Sequence, residues 1–447
     1  MNRNRNLWLV LILLLTAFSA WVAFSNRILI TNPITKETLI DRNVAVKLGL
    51  DLRGGLQALL EADVPADRTV NAEDMGNTKT ILENRANGLG VSEVVMQVAG
   101  DRRIVAEFPG VSDPEAIVAA LKQTALLEFV DMGDTPVKAG ETIVTDTDAS
   151  QATEGQQVYH TVMTGAALDT VSVGQNTVGG TYAISFTLKA DATQIFADYT
   201  TANVGKYLGI VLDKKVISAP TVSTPITGGQ GQISGNFTYE SANTLAIQLR
   251  SGSLPVPVKV VESRTVGPTL GEESVRKSVL AGAIGLAVVI LFMAFNYRLP
   301  GIIADLALIV YALVSLMLFK LIPVTLTLPG IAGFILSIGM AVDANVLIFE
   351  RLKEELRAGR TLSQAIDLAW SRAWPSIRDS NISTLITSAI LWLFGNTFGA
   401  SMVKGFSVTL ALGVLVSLFT AINVTRTFLH TALDNFKIGE RQSWFGL

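Results

Sequence analysis

Hydrophobic and polar positions alternate on two scales along this chain. Six stretches are apolar almost without interruption: Leu7 to Phe24, Ser278 to Phe295, Gly301 to Phe319, Leu326 to Phe349, Asn381 to Phe398 and Val403 to Asn423. Each is about as long as a helix needs to cross a hydrocarbon layer of roughly 30 Å. The pattern predicts six membrane-spanning helices, of which the fifth opens on polar residues. The first follows Arg3 and Arg5, as a signal peptide would. Its apolar run is longer than a usual signal core and no A-x-A site follows, so it reads as a retained anchor.

Between the first two spans, residues 25–277, the period shortens. Leu56 to Val64 alternates like a strand, Asp74 to Leu89 like a helix. Glu93 to Val98 and Arg102 to Phe108 read as strands joined at Gly100-Asp101, a hairpin signal. Asp113-Pro114 opens a helix to about Gln123, since Asp suits the N-cap and Pro the first helical position. Leu126 to Asp131 closes a β-α-β-β-α-β order, that of a ferredoxin-like unit. A similar order returns as Tyr182 to Lys189, Ala190 to Asn203, a hairpin of Tyr207 to Asp213 with Val216 to Ala219, Tyr239 to Arg250, and Val256 to Val261. Residues 133–180 read as extra strands or a mobile insert. The expected fold class is a six-span α-helical membrane protein with a large α+β ectodomain of ferredoxin-like βαββαβ units.

Composition supports this division. Charged residues make up only 16% and hydrophobic residues 49% of the 447 positions, against about 25% charged in an ordinary soluble domain. The deficit lies in the spans, where Asp305 and Asp343 are the only acids to interrupt the apolar runs. Positive charge gives orientation. Arg298, the basic residues from Arg351 to Arg378, and Arg426, Lys437 and Arg441 fall on the side of Arg3 and Arg5. Opposite them are Lys320 and, at a span edge, Lys404. Both termini are then cytoplasmic and residues 25–277 lie outside.

Catalytic chemistry is not evident. Cysteine is absent, and His160 and His430 are the two histidines. No H-E-x-x-H, G-x-S-x-G or nucleotide-binding P-loop occurs. Gly49, Gly54 and Gly55 make no dinucleotide fingerprint. No enzyme activity, cofactor or metal is expected, and a net charge of −3 offers no general attraction to nucleic acid.

The candidate chemistry is Asp343, well inside the fourth span. An intramembrane acid is costly, by roughly 2.5–3.5 kcal/mol on insertion scales, and usually marks an ion path. Two readings stand: a proton or cation carrier, or a hydrogen-bonding group between helices. Gly339, one turn away, and Ser337 permit close helix approach and water. Asp305 is a weaker candidate near its span's end. Asn381, Thr384 and Ser388 form a polar stripe on the fifth span, which either lines a hydrated path facing Asp343 or makes ordinary helix contacts. Asn345 is a further candidate lining residue. Gly405, Thr409, Gly413 and Ser417 recur every four residues as a packing seam. Glu350 to Asp379 reads as an amphipathic helix at the membrane interface. One proton moving inward down about 100 mV and one pH unit releases roughly 3.7 kcal/mol, enough to reposition a two-state domain.

Several stretches together resemble one family: Leu48-Gly-Leu-Asp-Leu-Arg-Gly-Gly55, Leu249 to Pro255, Arg264 to Gly271, Gly339 to Arg351, Arg378 to Thr387 and Val403 to Phe406. The chain is similar to the SecD/SecF family of bacterial protein-export subunits, part of the resistance-nodulation-division superfamily. That resemblance implies a second six-span subunit, SecF, association with the SecYEG channel, functional linkage to SecA, YajC as a further partner, and an unfolded preprotein as substrate. It implies a location in the bacterial inner membrane, the proton gradient as energy source, and Asp343 as the family's transmembrane aspartate. It also implies a base and a mobile head, with Arg250 and Gly252 as a hinge, although a plain helix C-terminus explains those two residues as well. The divisions expected are 1–24 first span, 25–131 base, 132–250 head, 251–277 return to the base and membrane, 278–425 five-helix bundle and 426–447 tail. The Gly49 to Gly55 motif reads as a turn into the first sheet. The alternatives are half of a small-molecule or lipid exporter on the same scaffold, and a membrane-anchored scaffold without transport.

Overall fold

A computed structural model describes residues 2–31, 38–65, 67–91, 93–111, 113–151, 156–175, 182–436 and 444. In chain order, α1 (Asn2–Phe24) is followed by β1 (Arg27–Thr31), β2 (Thr38–Asn43), β3 (Lys47–Leu48) and the one-turn α2 (Leu50–Arg53). Then come β4 (Gly55–Ala62), α3 (Ala72–Gly88), β5 (Val95–Ala99), β6 (Arg103–Pro109), α4 (Pro114–Lys122), β7 (Leu127–Gly133), β8 (Val144–Thr145), β9 (Val158–Thr164) and β10 (Leu168–Gln175). They continue with β11 (Tyr182–Leu188), α5 (Ala190–Ala202), β12 (Tyr207–Leu212), β13 (Lys215–Ser218), β14 (Gln230–Phe237), α6 (Tyr239–Ser251) and β15 (Val258–Val266). The chain ends in α7 (Pro268–Tyr297), α8 (Leu299–Leu321), β16 (Thr325–Leu326), α9 (Leu328–Arg357), α10 (Leu362–Thr397), α11 (Ser401–Phe419), a π-helical turn at Thr420–Val424 and α12 (Thr425–Phe436). Packing divides it into two compact units, Met1–Gly55 with Val266–Leu447, and Leu56–Thr265.

In the globular unit the expected elements form for the expected local reasons. The Asp113 carboxylate accepts the Ala116 N–H at the start of α4, with Pro114 just inside. Gly100 takes φ +64 in the β5–β6 turn. Asp213 and Lys214, both at positive φ, make the two-residue turn joining β12 to β13, so that the expected hairpin turns one position earlier than its strand bounds implied.

Strand partners differ from the expectation. One sheet runs β15-β4-β6-β5, a second β13-β12-β7-β9-β8, and a third β10-β11-β14. The strand at Leu127–Gly133 therefore does not close the first sheet. It lies between β12 and β9, and β15, more than a hundred residues later, takes the place beside β4. The later β-α-β-β-α-β order is likewise spread over all three sheets and makes no separate unit. Residues 133–180 supply β8, β9 and β10, while part of that stretch lies outside the described residues. Two cores result. Leu56, Leu60, Leu82, Ile104, Phe108 and Leu121 bury against the first sheet. Phe129, Phe186 and Phe196 cluster between the other two sheets and α5 and α6.

In the other unit, among the described residues, five helices are long and apolar enough to cross a membrane: Asn6–Phe24, Gly271–Tyr297, Leu299–Leu321, Leu328–Arg357 and Ser401–Ala432. The protein is a multi-pass helical membrane protein with a mixed α+β globular domain. The segment Glu350 to Asp379 is not a separate interfacial helix. Its first part extends α9 and its last part begins α10. Ala365, Ile366, Ala369, Trp370 and Ala373 spend its apolar stripe against Phe349, Leu352 and Leu356. The packing seam on α11 does form: a Cβ on Gly405 would press on Thr327, and one on Gly413 would overlap Ser337.

Candidate functional site

Asp343 lies midway along α9. A helix turns about 100° per residue, so positions seven or eight apart share a face. Ser337, Ala341, Asn345, Ile348 and Leu352 form the buried face of α9. Leu336, Gly339 and Asp343 lie on the opposite, exposed face. Helices α7 and α10 both pack on α9. Both helices also carry uncovered apolar side chains: Ile284, Val288 and Leu291 on α7, Ile386 and Ile390 on α10 are all exposed. No cation among the described residues pairs with Asp343.

The other expected site residues separate into two groups. Thr384 approaches this face, with its hydroxyl 3.9 Å from the Met340 sulfur, one turn from Asp343. Ser388 and Asn381 are buried and bond within their own helix, to the carbonyls of Thr384 at 2.9 Å and Ile377 at 2.7 Å. Asn345 does not join Asp343. Two residues on is a rotation of about 200°, which turns it into the bundle. There its amide nitrogen donates to Ala341 O at 3.3 Å and its buried Oδ1 has no partner. Asp305 is half-buried on α8, with Oδ1 buried and unpartnered, and makes no hydrogen bond to Asp343. The hinge candidates differ too. Arg250 is exposed, whereas Gly252 sits at φ +88 as the C-cap of α6.

Three polar junctions escaped the linear reading. The Tyr311 hydroxyl of α8 meets Ser337 Oγ of α9 at 2.5 Å, fully buried where Gly413 of α11 leaves room. Lys320, at the end of α8, donates to Val22 O, Ala23 O and Ser25 O at 3.3, 2.7 and 2.9 Å. It thereby neutralises the electronegative carbonyl end of α1. Asp51 of α2 accepts the Leu328 N–H at 2.5 Å and so caps α9, the helix that carries Asp343. Burial holds the Asp51 carboxyl above the usual carboxylate range. The Gly49 motif does turn into the first sheet, with Gly54 and Gly55 at positive φ where β4 begins; in addition β3 pairs with β16 in parallel, and Gly271 of α7 admits the backbone of Leu52. Helical periodicity could have flagged the buried side of Ser337. The caps made by Lys320 and Asp51 span nearly three hundred residues and leave no local signal.

Sequence comparison decides the family. Residues 75–134 match the N-terminal part of the P1 domain of the protein translocase subunit SecDF, 141–256 the SecDF P1 head subdomain, and 252–433 the C-terminal region of the protein export membrane proteins SecD/SecF. The Protein translocase subunit SecD of Thermobaculum terrenum is 47% identical, covering 97% of this chain and 93% of that protein. The chain belongs to the SecD/SecF family of protein translocase subunits. The SecD subunit of Synechocystis is 44% identical over 86% of this chain and 89% of its own. A crystal structure of SecDF from Thermus thermophilus, described as a translocon-associated membrane protein, superposes with a TM-score of 0.62 at 35% identity. It covers 97% of this chain, which spans 60% of that longer one.

Proposed function

We propose that this SecD-family chain works with a SecF-type subunit to complete preprotein export, using the proton-motive force after the SecA-driven step through SecYEG. The carrying observation is the exposure of Asp343 on an uncovered apolar face. A carboxylate facing lipid is costly, so this face calls for a protein cover. The part of SecDF beyond the 60% that this chain spans has its counterpart in a SecF-type subunit, the natural occupant, and Asp343 then lies between the subunits as the proton-carrying group. Thr384 is the one candidate lining residue whose position supports a path beside it. YajC is an accessory partner in this reading.

The same reading makes residues 381–397 of α10 a sixth span and places both termini in the cytoplasm of a bacterial inner membrane. The β15-β4-β6-β5 order with α3 and α4 supports a ferredoxin-like base, split by insertion of the head rather than contiguous at 25–131. Preprotein contacts the head, which swings on segments near Gly252.

The test is Asp343→Asn in vesicles holding the partner subunits. Gradient-dependent completion of export is lost while the ATP-driven step continues; undiminished completion refutes the reading. Copurification of the wild-type chain with a second six-span protein separates it from a self-sufficient scaffold.

A further inference from the structure

Only two segments connect the four-stranded sheet and its helices to the rest of the globular unit. One leaves after α4, through residues 123–126. The other returns after α6, through residues 251–257. Each contains a left-handed residue, Ala125 at φ +55 and Gly252 at φ +88. They are tied to each other where Leu254 N–H donates to Thr124 O at 3.1 Å.

One side chain grips both. Arg85, near the end of α3, is completely buried. Its guanidinium donates to Gln123 O at 2.5 Å, Thr124 O at 2.9 Å and Gly252 O at 2.8 Å. Among the described residues no carboxylate forms an ion pair with it, and its Nε is buried without a partner. Burial lowers its pKa to about 10, so it stays charged at neutral pH. The opposing group is Asp213, in the β12–β13 turn, whose carboxylate accepts Ala125 N–H at 3.1 Å and Leu126 N–H at 2.8 Å. The outgoing segment is thus held by a cation from the base side and by an anion from the head side. Gln248 of α6 adds a bond of 2.8 Å to the Gln123 side chain.

A buried charge satisfied by main-chain carbonyls alone is an expensive fastener. Packing alone would be served by an apolar side chain. What the guanidinium adds is a planar fork able to reach three carbonyls on two separate segments. We propose that Arg85 is the positioning residue that sets the angle between the base and the head, by fastening both crossing segments so that they turn about one axis. The proposal rests on the reading of a moving head given above.

The natural absence of cysteine makes a distance measurement clean. Spin labels go on Asp101→Cys, in the β5–β6 turn of the base, and Asp191→Cys, at the start of α5 in the head. The full chain is reconstituted with its partner subunit. Arg85→Lys keeps the charge but cannot span the three carbonyls. The expected result is an unchanged thermal transition, a broadened and shifted distance distribution, and reduced gradient-dependent export. A distribution and export equal to wild type overturn the proposal. Loss of the folded domain in Arg85→Lys also overturns it, by assigning the guanidinium to folding. Failure of the moving-head reading is separately visible: the wild-type distribution would then be the same with and without a proton gradient.

Discussion

Glu128 and Lys214 form an ion pair of 2.8 Å in which the carboxylate is wholly enclosed. Thr145 and Thr161 donate to the same carboxylate, and the Lys214 ammonium also reaches Thr145, Thr147 and Asp148. Lys214 holds φ +66 in its turn, so the pair fixes the β12–β13 hairpin to β7 and β8. Lys214→Met leaves Glu128 buried without its cation and should cost about 3–5 kcal/mol. Adding Glu128→Leu should recover much of that. Thermal unfolding of the single and double variants reads the difference.

Gly413 faces the Tyr311–Ser337 contact with no space for a side chain. Gly413→Val should force α11 away from α8 and α9 at a cost of about 1–3 kcal/mol. Tyr311→Phe, which only removes a hydroxyl from Ser337, should cost about 1 kcal/mol. Detergent-solubilised stability measurements should rank them in that order.

Asp51 combines a cap with a raised pKa. A carboxyl whose folded pKa lies above its unfolded value binds its proton more tightly in the folded state. Stability from this group therefore falls as pH rises from the ordinary carboxylate value through the raised one. Asp51→Asn keeps a capping oxygen without the charge, so it should be at least as stable at neutral pH and lose that part of the pH profile. Asp51→Ala removes the acceptor of the Leu328 N–H, while Thr327 still caps α9 through Gly330, and should cost about 1 kcal/mol. A stability–pH series on the three proteins checks both signs.

Gly339 has open space where its side chain would be, one turn from Asp343 on the exposed face. Gly339→Leu should leave the stability of the isolated chain nearly unchanged yet weaken copurification with the second subunit. An equal loss of both would mean that the face is not an interface.

How much was legible in the sequence follows the range of the interactions. The spans and the individual strands and helices rest on local periodicity, and Asp343 stands out because it interrupts an apolar run. Which strand joins which sheet was misread, because β4 pairs with β15 across two hundred residues and an intervening head. Asn345, a candidate lining residue, faces away from Asp343, since two residues of helical rotation put the pair on opposite sides. Arg85 looks like any solvent-facing cation on an amphipathic helix until the two crossing segments close over it.

The bonds from Lys320 to the end of α1 also set an order of assembly. The carbonyls of Val22, Ala23 and Ser25 are made nearly three hundred residues before the ammonium that satisfies them. At roughly 5–20 residues per second, α1 waits on the order of 15–60 s for α8 to emerge. During that time it must persist in the bilayer as a lone helix, its last turn served by water or headgroups. The strongly apolar face it still exposes in the finished fold suits a helix that has to survive unaccompanied first.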